Sequence, residues 1–285
     1  MSSMTFQGVD AIEADFRQID VRGVATSYWE CGAGEPVVLV HGSGAGVTAA
    51  ANWYSNLEPL GRDFHVFAPE LLGFGDTGPS PDGEYGIGRW LDHLIGFLDA
   101  VGVDKAHLVG NSLGGWVSTE LARTSPERVA RLVLMGTGGT PESMTKRLRS
   151  NQNYEPSKER MRQVVSGFVE AGGIITDALI DHRFEMSTKP GAVEAFAATS
   201  AARNRDRVER PLTPERVAEV QCETLLIHGR EDHIIPAESS WNLLQALPNA
   251  HLVVFSRCGH WSQIEHSRRF NLLVRDFLQN GLSEW

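Results

Sequence analysis

Short apolar runs alternate with amphipathic stretches along most of this chain, as strands alternate with helices. Residues 16–31 switch between polar and apolar positions, which predicts an opening antiparallel pair turning at Arg22-Gly23. Pro36–His41 (PVVLVH) and Phe64–Ala68 are apolar runs of strand length, the pattern of strands buried on both faces. Over Tyr85–Val101, Trp90, Leu91, Leu94, Ile95 and Leu98 recur at helical spacing. A strand over Ala106–Val109, a helix over Gly115–Arg123 and a strand over Val129–Met135 continue the series. Strands Thr224–His228 and His251–Phe255, with helices Ser239–Leu247 and Arg268–Leu278, close it. This order predicts an α/β fold around a mainly parallel sheet.

The rhythm breaks after Gly139. Residues 140–212 are rich in Arg, Glu, Ser and Met and contain no strand pattern. Apolar positions still recur (Met161, Val164, Val165, Phe168, then Ile174, Ile175, Leu179, Ile180), so the segment reads as a helical insertion and not a linker. Leu212-Thr213-Pro214 resembles a helix start that resumes the core. The expected organisation is a core from 1–139 and 213–285, interrupted by a helical cap at 140–212.

Composition narrows the possible partners. The 285 residues are 41% hydrophobic and 22% charged, as in a globular protein with an ample core. The net charge is −10 and no Lys/Arg cluster stands out, which argues against nucleic acid or an anionic membrane as partner. No apolar run is long enough to span a bilayer. Met1–Arg17 carries Asp10, Glu13 and Asp15 and lacks the basic and apolar regions of a signal peptide. The three cysteines, Cys31, Cys222 and Cys258, are widely spaced and form no C-x-x-C. They read as reduced thiols of a cytoplasmic protein.

The candidate chemistry centres on Gly110-Asn111-Ser112-Leu113-Gly114, between a predicted strand and a predicted helix. In that context G-x-S-x-G forms a nucleophile elbow, a cramped turn that lifts the serine hydroxyl clear of the sheet. A serine nucleophile needs a base and a group to orient that base. In this fold the order is Ser, then Asp or Glu, then His. Asp232 follows strand Thr224–His228, and His260 lies in the loop after strand His251–Phe255. Ser112, Asp232 and His260 therefore all fall just beyond strand ends, where open α/β sheets place ligands and catalytic groups. Glu231 is the alternative acid. Asp232 is favoured because the turn His233-Ile234-Ile235-Pro236 should point it inward. The oxyanion-hole candidates are the backbone N–H of Leu113 and that of Ser43, in the loop His41-Gly42-Ser43-Gly44-Ala45-Gly46. No Lys-Ser/Thr follows that loop as a P-loop requires, and His228 and His233 have no third ligand, so neither a cofactor nor a metal is expected.

Four stretches carry a family resemblance: HGSGAGVTAAANW (41–53), LVGNSLGG (108–115), HGREDHIIP (228–236) and VFSRCGHWSQIEH (254–266). Together they resemble the meta-cleavage-product hydrolases of the α/β-hydrolase fold, over essentially the whole core and least in the cap. The resemblance implies an eight-stranded, mainly parallel sheet with helices on both faces and a helical cap. It also implies hydrolysis of the C5–C6 bond of a 2-hydroxy-6-oxohexa-2,4-dienoate after ketonisation of the dienol. Arg183 then matches the carboxylate-binding arginine, and Asn111, Asn52 and Trp261 match the other polar contacts to an anionic dienoate, beside Gly42. A homodimer or higher homo-oligomer is implied as well. Ala45 stands where the family often has Pro, which bears on the rigidity of the glycine loop. GVTAxANW favours the branch acting on monocyclic products. Phe168, Phe184, Met186 and Phe196 read either as the pocket for the C6 group or, as their spacing favours, as ordinary core. A carboxylesterase or cofactor-free perhydrolase would use the same triad, but a neutral ester would need none of Asn111, Arg183 and Trp261.

Overall fold

A computed structural model describes residues 14–152, 154–170 and 174–283. Residues 1–13, which make up most of the Met1–Arg17 stretch read above, lie outside the described residues. Eight strands form one sheet: β1 (Asp15–Val21), β2 (Val24–Cys31), β3 (Pro36–Val40), β4 (His65–Pro69), β5 (Ala106–Asn111), β6 (Val129–Met135), β7 (Thr224–Gly229) and β8 (Ala250–Phe255). Their spatial order is β1-β2-β4-β3-β5-β6-β7-β8. The pairings of β2 with β1 and β4 are antiparallel and the rest are parallel. The β1–β2 hairpin turns where expected, with Arg22 and Gly23 both at positive φ (53° and 86°), as a tight two-residue hairpin turn demands.

The parallel strands read as solid apolar runs because both of their faces are buried. Val37, Leu39, Val109, Val133, Leu225 and Ile227 enter one core. Their neighbours Val38, Val40, Leu108, Leu132, Leu134 and Leu226 enter the other. A strand's side chains alternate between faces, so each run supplies both cores at once. The first core packs against α1 (Ala49–Trp53), α2 (Leu57–Gly61) and, near the C-terminus, two further helices; the second packs against α3 (Ile87–Ala100) and α4 (Leu113–Thr124).

Residues 140–212 hold α5 (Lys146–Gln152), α6 (Lys158–Ser166), α7 (Asp177–Ser187) and α8 (Ala192–Glu209), with no strand among the described residues. Thr176 caps α7 by accepting the Leu179 N–H at 3.2 Å. The two ends of the segment meet where Leu212 N–H donates to Gly139 O at 2.8 Å. The chain then completes itself with α9 (Pro214–Val217), α10 (Ala237–Ala246), α11 (Ser262–Glu265) and α12 (Ser267–Asn280). Among the described residues no helix is long and apolar enough to cross a membrane.

Most element ends differ from the pattern-based expectation by one or two residues, and two of these differences fall at the elbow. β5 runs on to Asn111, because Gly110 and Asn111 still pair with Leu134 and Met135 of β6. α4 starts at Leu113 and not Gly115, so the reversal is confined to Ser112. A polar Asn and a pair of glycines carry no hydrophobic signal that would have marked either extension.

Candidate active site

Ser112 sits at φ 53°, ψ −109°, outside the regions an L-residue ordinarily occupies. The surrounding structure holds it there. Ser112 N–H donates to Met135 O at 2.9 Å, and its carbonyl accepts from Gly138 N–H at 3.0 Å and Trp116 N–H at 3.2 Å. The flanking glycines are required by space: a Cβ on Gly114 would lie 2.0 Å from Val40 O, and one on Gly110 would lie 2.6 Å from Gly114 O. Backbone strain maintained in this way is the expected state of a nucleophile elbow.

His260 Nδ1 and Asp232 Oδ2 are 2.7 Å apart and both side chains are buried. The other carboxylate oxygen accepts the N–H groups of Ile234 (2.7 Å) and Ile235 (2.9 Å), so the turn after β7 does aim Asp232 inward. His228 Nε2 lies 3.2 Å from Oδ2 as a further donor. Burial by itself would raise the Asp232 pKa. The charge of His260 and the hydrogen bonds from both histidines outweigh it and hold the group well below the usual carboxylate range. Glu231 does not compete, because its carboxylate accepts Cys258 N–H at 3.0 Å and pairs with Arg230. With Nδ1 bonded to Asp232, the Nε2 nitrogen of His260 is left for the cavity this ring shares with Ser112.

That cavity is small, about 30 Å3, and is lined by Ser43, Gly44, Ala45, Ser112 and His260 on the sheet side. Leu148, Asn151, Val164, Phe168, Phe196 and Arg203 face it from the helical segment. An outer cleft of about 290 Å3 shares Gly44 and Phe196 with it and adds Phe74, Asp76, Met186 and Lys189. Phe168 and Phe196 thus line the cavity and Met186 the cleft, whereas Phe184 packs against the core.

The glycine loop after β3 is fixed without a proline. Asn52 Oδ1 accepts Gly42 N–H at 3.2 Å. His41 is kept neutral by burial, its pKa lowered to about 4, and its Nε2 accepts Leu71 N–H at 2.9 Å. Its Nδ1 can therefore donate to Gly42 O at 2.6 Å. Arg183 Nη2 donates to Ala45 O at 2.8 Å, so Ala45 is held at the position where proline would have stiffened the loop. Leu113, the first residue of α4, has an N–H with no intrahelical acceptor, and Ser43 lies across the cavity from the helical segment.

Arg183, Trp261, Asn52, Asn111 and Gly42 do not line the cavity itself. They form the layer against it. A Cβ on Gly42 would meet Asn111 Oδ1 at 2.7 Å and Ser112 Cβ at 3.3 Å. Asn111 Nδ2 donates to Met135 O at 3.3 Å, and Asn52 Nδ2 is buried without a partner. Trp261 stacks on Phe168 at 4.7 Å, and the Arg183 guanidinium stands 5.5 Å from the Trp261 ring. Arg183 is 1% exposed, makes no ion pair among the described residues and has a buried Nε without a partner. Burial lowers its pKa to about 10, which still leaves it a cation. Leaving a buried charge unpaired is costly, so a site for an anion is the natural explanation.

Sequence reasoning missed three participants. His41 sets the loop, yet a histidine at a strand end gives no sign of that. The Phe168 carbonyl accepts the N–H groups of His260 (2.7 Å) and Trp261 (3.2 Å), tying the helical segment to the histidine loop through backbone atoms alone. Arg203 lies in a run, ARNRDRVER, that reads as a solvated helix face. The thiols play no part: burial drives the pKa of Cys258 upward, and all three cysteines are free. Among the described residues no cluster of three or more His, Cys, Asp or Glu is arranged to hold a metal.

The α/β-hydrolase fold family model matches residues 35–267, and the chain belongs to that family. Within it, the chain is a member of the meta-cleavage product hydrolases. It is 43% identical to the 2-hydroxy-6-oxo-2,4-heptadienoate hydrolase of Pseudomonas putida, over 92% of this chain and 95% of that one. It is 42% identical to the 2-hydroxymuconate semialdehyde hydrolase of Pseudomonas sp. strain CF600, over 92% and 93%. The solved meta-cleavage product hydrolase from Pseudomonas fluorescens IP01 superposes with a TM-score of 0.88 at 41% identity, over 92% of this chain and 97% of that one.

Proposed function

We propose that this enzyme hydrolyses the C5–C6 bond of a 2-hydroxy-6-oxohexa-2,4-dienoate, giving 2-hydroxypenta-2,4-dienoate and a carboxylic acid. The observation that carries this reading over an esterase is Arg183, a buried cation without a counter-ion beside the loop that leads to Ser112. A neutral ester gives such a group nothing to bind. A dienoate carboxylate matches its planar fork.

In the first step the proton of the 2-hydroxyl leaves and C5 gains one, converting the dienol to its keto form. Arg183 draws the carboxylate toward the glycine loop, and Asn52, Asn111, Trp261 and Gly42, in the layer behind the cavity wall, shape the space the dienoate occupies. In the second step His260 Nε2 accepts a proton from Ser112 or from a water as oxygen adds to the C6 carbonyl. Asp232 fixes the tautomer and stabilises the imidazolium. The N–H groups of Ser43 and Leu113 receive the oxyanion. When C5–C6 breaks, its electron pair passes into the conjugated ketone and the 2-hydroxydienoate re-forms; oxygen added from water leaves with the acid, whereas an ester formed on Ser112 is hydrolysed by a second water that His260 deprotonates, releasing the acid and restoring the serine.

Residues 140–212 act as the cap of this site over a core made of 1–139 and 213–285. The Gly139–Leu212 hydrogen bond at the base of the segment supports that division. Substrate enters by the outer cleft. The reading includes a cytoplasmic enzyme that forms a homodimer or higher homo-oligomer, to be checked by sedimentation. The function is tested by comparing loss of absorbance of a C6-methyl dienoate with hydrolysis of p-nitrophenyl esters. The dienoate is the better substrate on this account, and ready ester cleavage with an untouched dienoate defeats it.

A further inference from the structure

The outer cleft carries an ion pair that the reaction above does not use. Lys189 Nζ lies 2.5 Å from Asp76 Oδ1, and both residues line the cleft. Asp76 belongs to the loop after β4 and Lys189 to the turn between α7 and α8, so the pair ties the core side of the cleft to the helical segment. The two ends are not equally held. The carboxyl of Glu70, a residue 1% exposed, accepts Asp76 N–H at 2.5 Å and Ala49 N–H at 3.4 Å. A Cβ on Gly75 would lie 2.1 Å from Glu70 Oε2, so the loop is closed down on that carboxyl. Lys189 reaches the pair on a flexible four-carbon stem, with 45% of its side chain exposed. Asp76 is the fixed member and Lys189 the movable one.

The cleft leads toward Arg183. Gly44 lines both the cleft and the cavity, and a Cβ on it would meet Arg183 Nη2 at 3.0 Å. The buried ring of His182 feels the charges of Arg183, Lys189 and Asp76 together, which places the two cations on one short route. Arg183 is 1% exposed and engaged at Ala45 O, so it cannot reach outward to collect a substrate. A chain of net charge −10 repels anions at long range, and a movable cation at the mouth reverses that field locally. An ion pair this exposed adds little to stability, so its carboxylate can be exchanged for another at small cost.

We propose that Lys189 is the entry residue for the substrate carboxylate: Asp76 holds the ammonium at the cleft until an anionic dienoate takes its place, and the carboxylate then passes inward to Arg183. The proposal rests on the C–C hydrolase reading and adds the step that precedes its chemistry. No bond forms or breaks in that step. One carboxylate replaces another at the same ammonium.

The test measures kcat/KM of the purified full-length enzyme for 2-hydroxy-6-oxohepta-2,4-dienoate. Lys189→Gln is expected to lower it about three- to tenfold, mainly through KM, and Asp76→Asn, which releases Lys189, to raise it about twofold. Lys189→Arg should stay within about twofold of wild type. Raising NaCl from about 20 to about 500 mM should lower the wild-type value, and the fall should shrink in Lys189→Gln because buried Arg183 is screened far less. The opposite signs of the two variants decide the matter. A bridge that merely fastened the helical segment to the core would be lost in both and would move kcat/KM the same way. An Asp76→Asn value at or below wild type, or Lys189→Gln kinetics equal to wild type at low salt, overturns the entry role and leaves C–C hydrolysis standing. Failure of the wild type to consume the dienoate overturns the hydrolase reading and this proposal with it.

Discussion

The sheet edge and the helical segment above it treat buried polar groups in opposite ways. At the sheet edge the groups around the reacting serine are satisfied: Asp232 receives two backbone N–H groups and two histidines, and His41 is bonded at both nitrogens. In the helical segment, Arg183 and Arg203 are buried cations with no carboxylate partner among the described residues and with a donor left over on each. A satisfied network fixes geometry and does not depend on which molecule arrives. An unsatisfied one is completed only by a ligand of the right charge. Under the proposed function, the difference puts bond chemistry in the core and substrate choice in the helices.

That division can be attacked from either side. Ser112→Ala should have the largest effect, lowering kcat for every dienoate by about 10³-fold or more, measured by loss of dienoate absorbance. Asp232→Asn should lower kcat by roughly 10²- to 10⁴-fold with little change in KM, because the imidazole loses its tautomer and its counter-charge. Arg183→Ala belongs to the other class. KM should rise by about tenfold or more and ketonisation should slow, with Arg183→Lys recovering only part of the loss. Kinetics of Arg183→Ala indistinguishable from wild type would remove the carboxylate role and erase the contrast between the two regions.

The smallest effect is on stability against pH. Burial lowers the pKa values of His41, His93 and His182 to about 4, so the unfolded chain binds protons there that the folded chain does not. Their contribution to stability is present above pH ~6.5 and is lost as pH falls toward 4, at up to ~1.4 kcal/mol per pH unit for each histidine. Glu70 acts in the opposite sense. Burial raises its pKa to about 8, so it costs stability as pH rises from its unfolded value toward 8. Three histidines outweigh one carboxyl on the acid side, and only Glu70 acts between 6.5 and 8. Denaturant melts across this range should show greatest stability near pH 6.5. A flat profile would mean that these groups are not held as their burial implies.

The two regions also differed in how much of them the sequence disclosed. Parallel strands such as Pro36–Val40 must be apolar at every position to fill two cores, so they stand out as unbroken runs. The triad was legible because a strained serine needs Gly110 and Gly114, and because each member follows a strand. Even the choice of Asp232 over Glu231 could be argued from the turn after it. The buried face of α8 is Thr199, Ser200, Ala202, Arg203 and Asp206. Hydrophobic periodicity has no means of registering a face of that kind. Arg183 was singled out only through resemblance to a family, and Arg203 was not singled out at all.

Cleavage of a carbon–carbon bond is measured by product stoichiometry when the purified enzyme consumes 2-hydroxy-6-oxohepta-2,4-dienoate. One 2-hydroxypenta-2,4-dienoate and one acetate are expected for each dienoate lost. Disappearance of the dienoate absorbance with neither product formed, or no disappearance at all under conditions where p-nitrophenyl esters are cleaved, would contradict it.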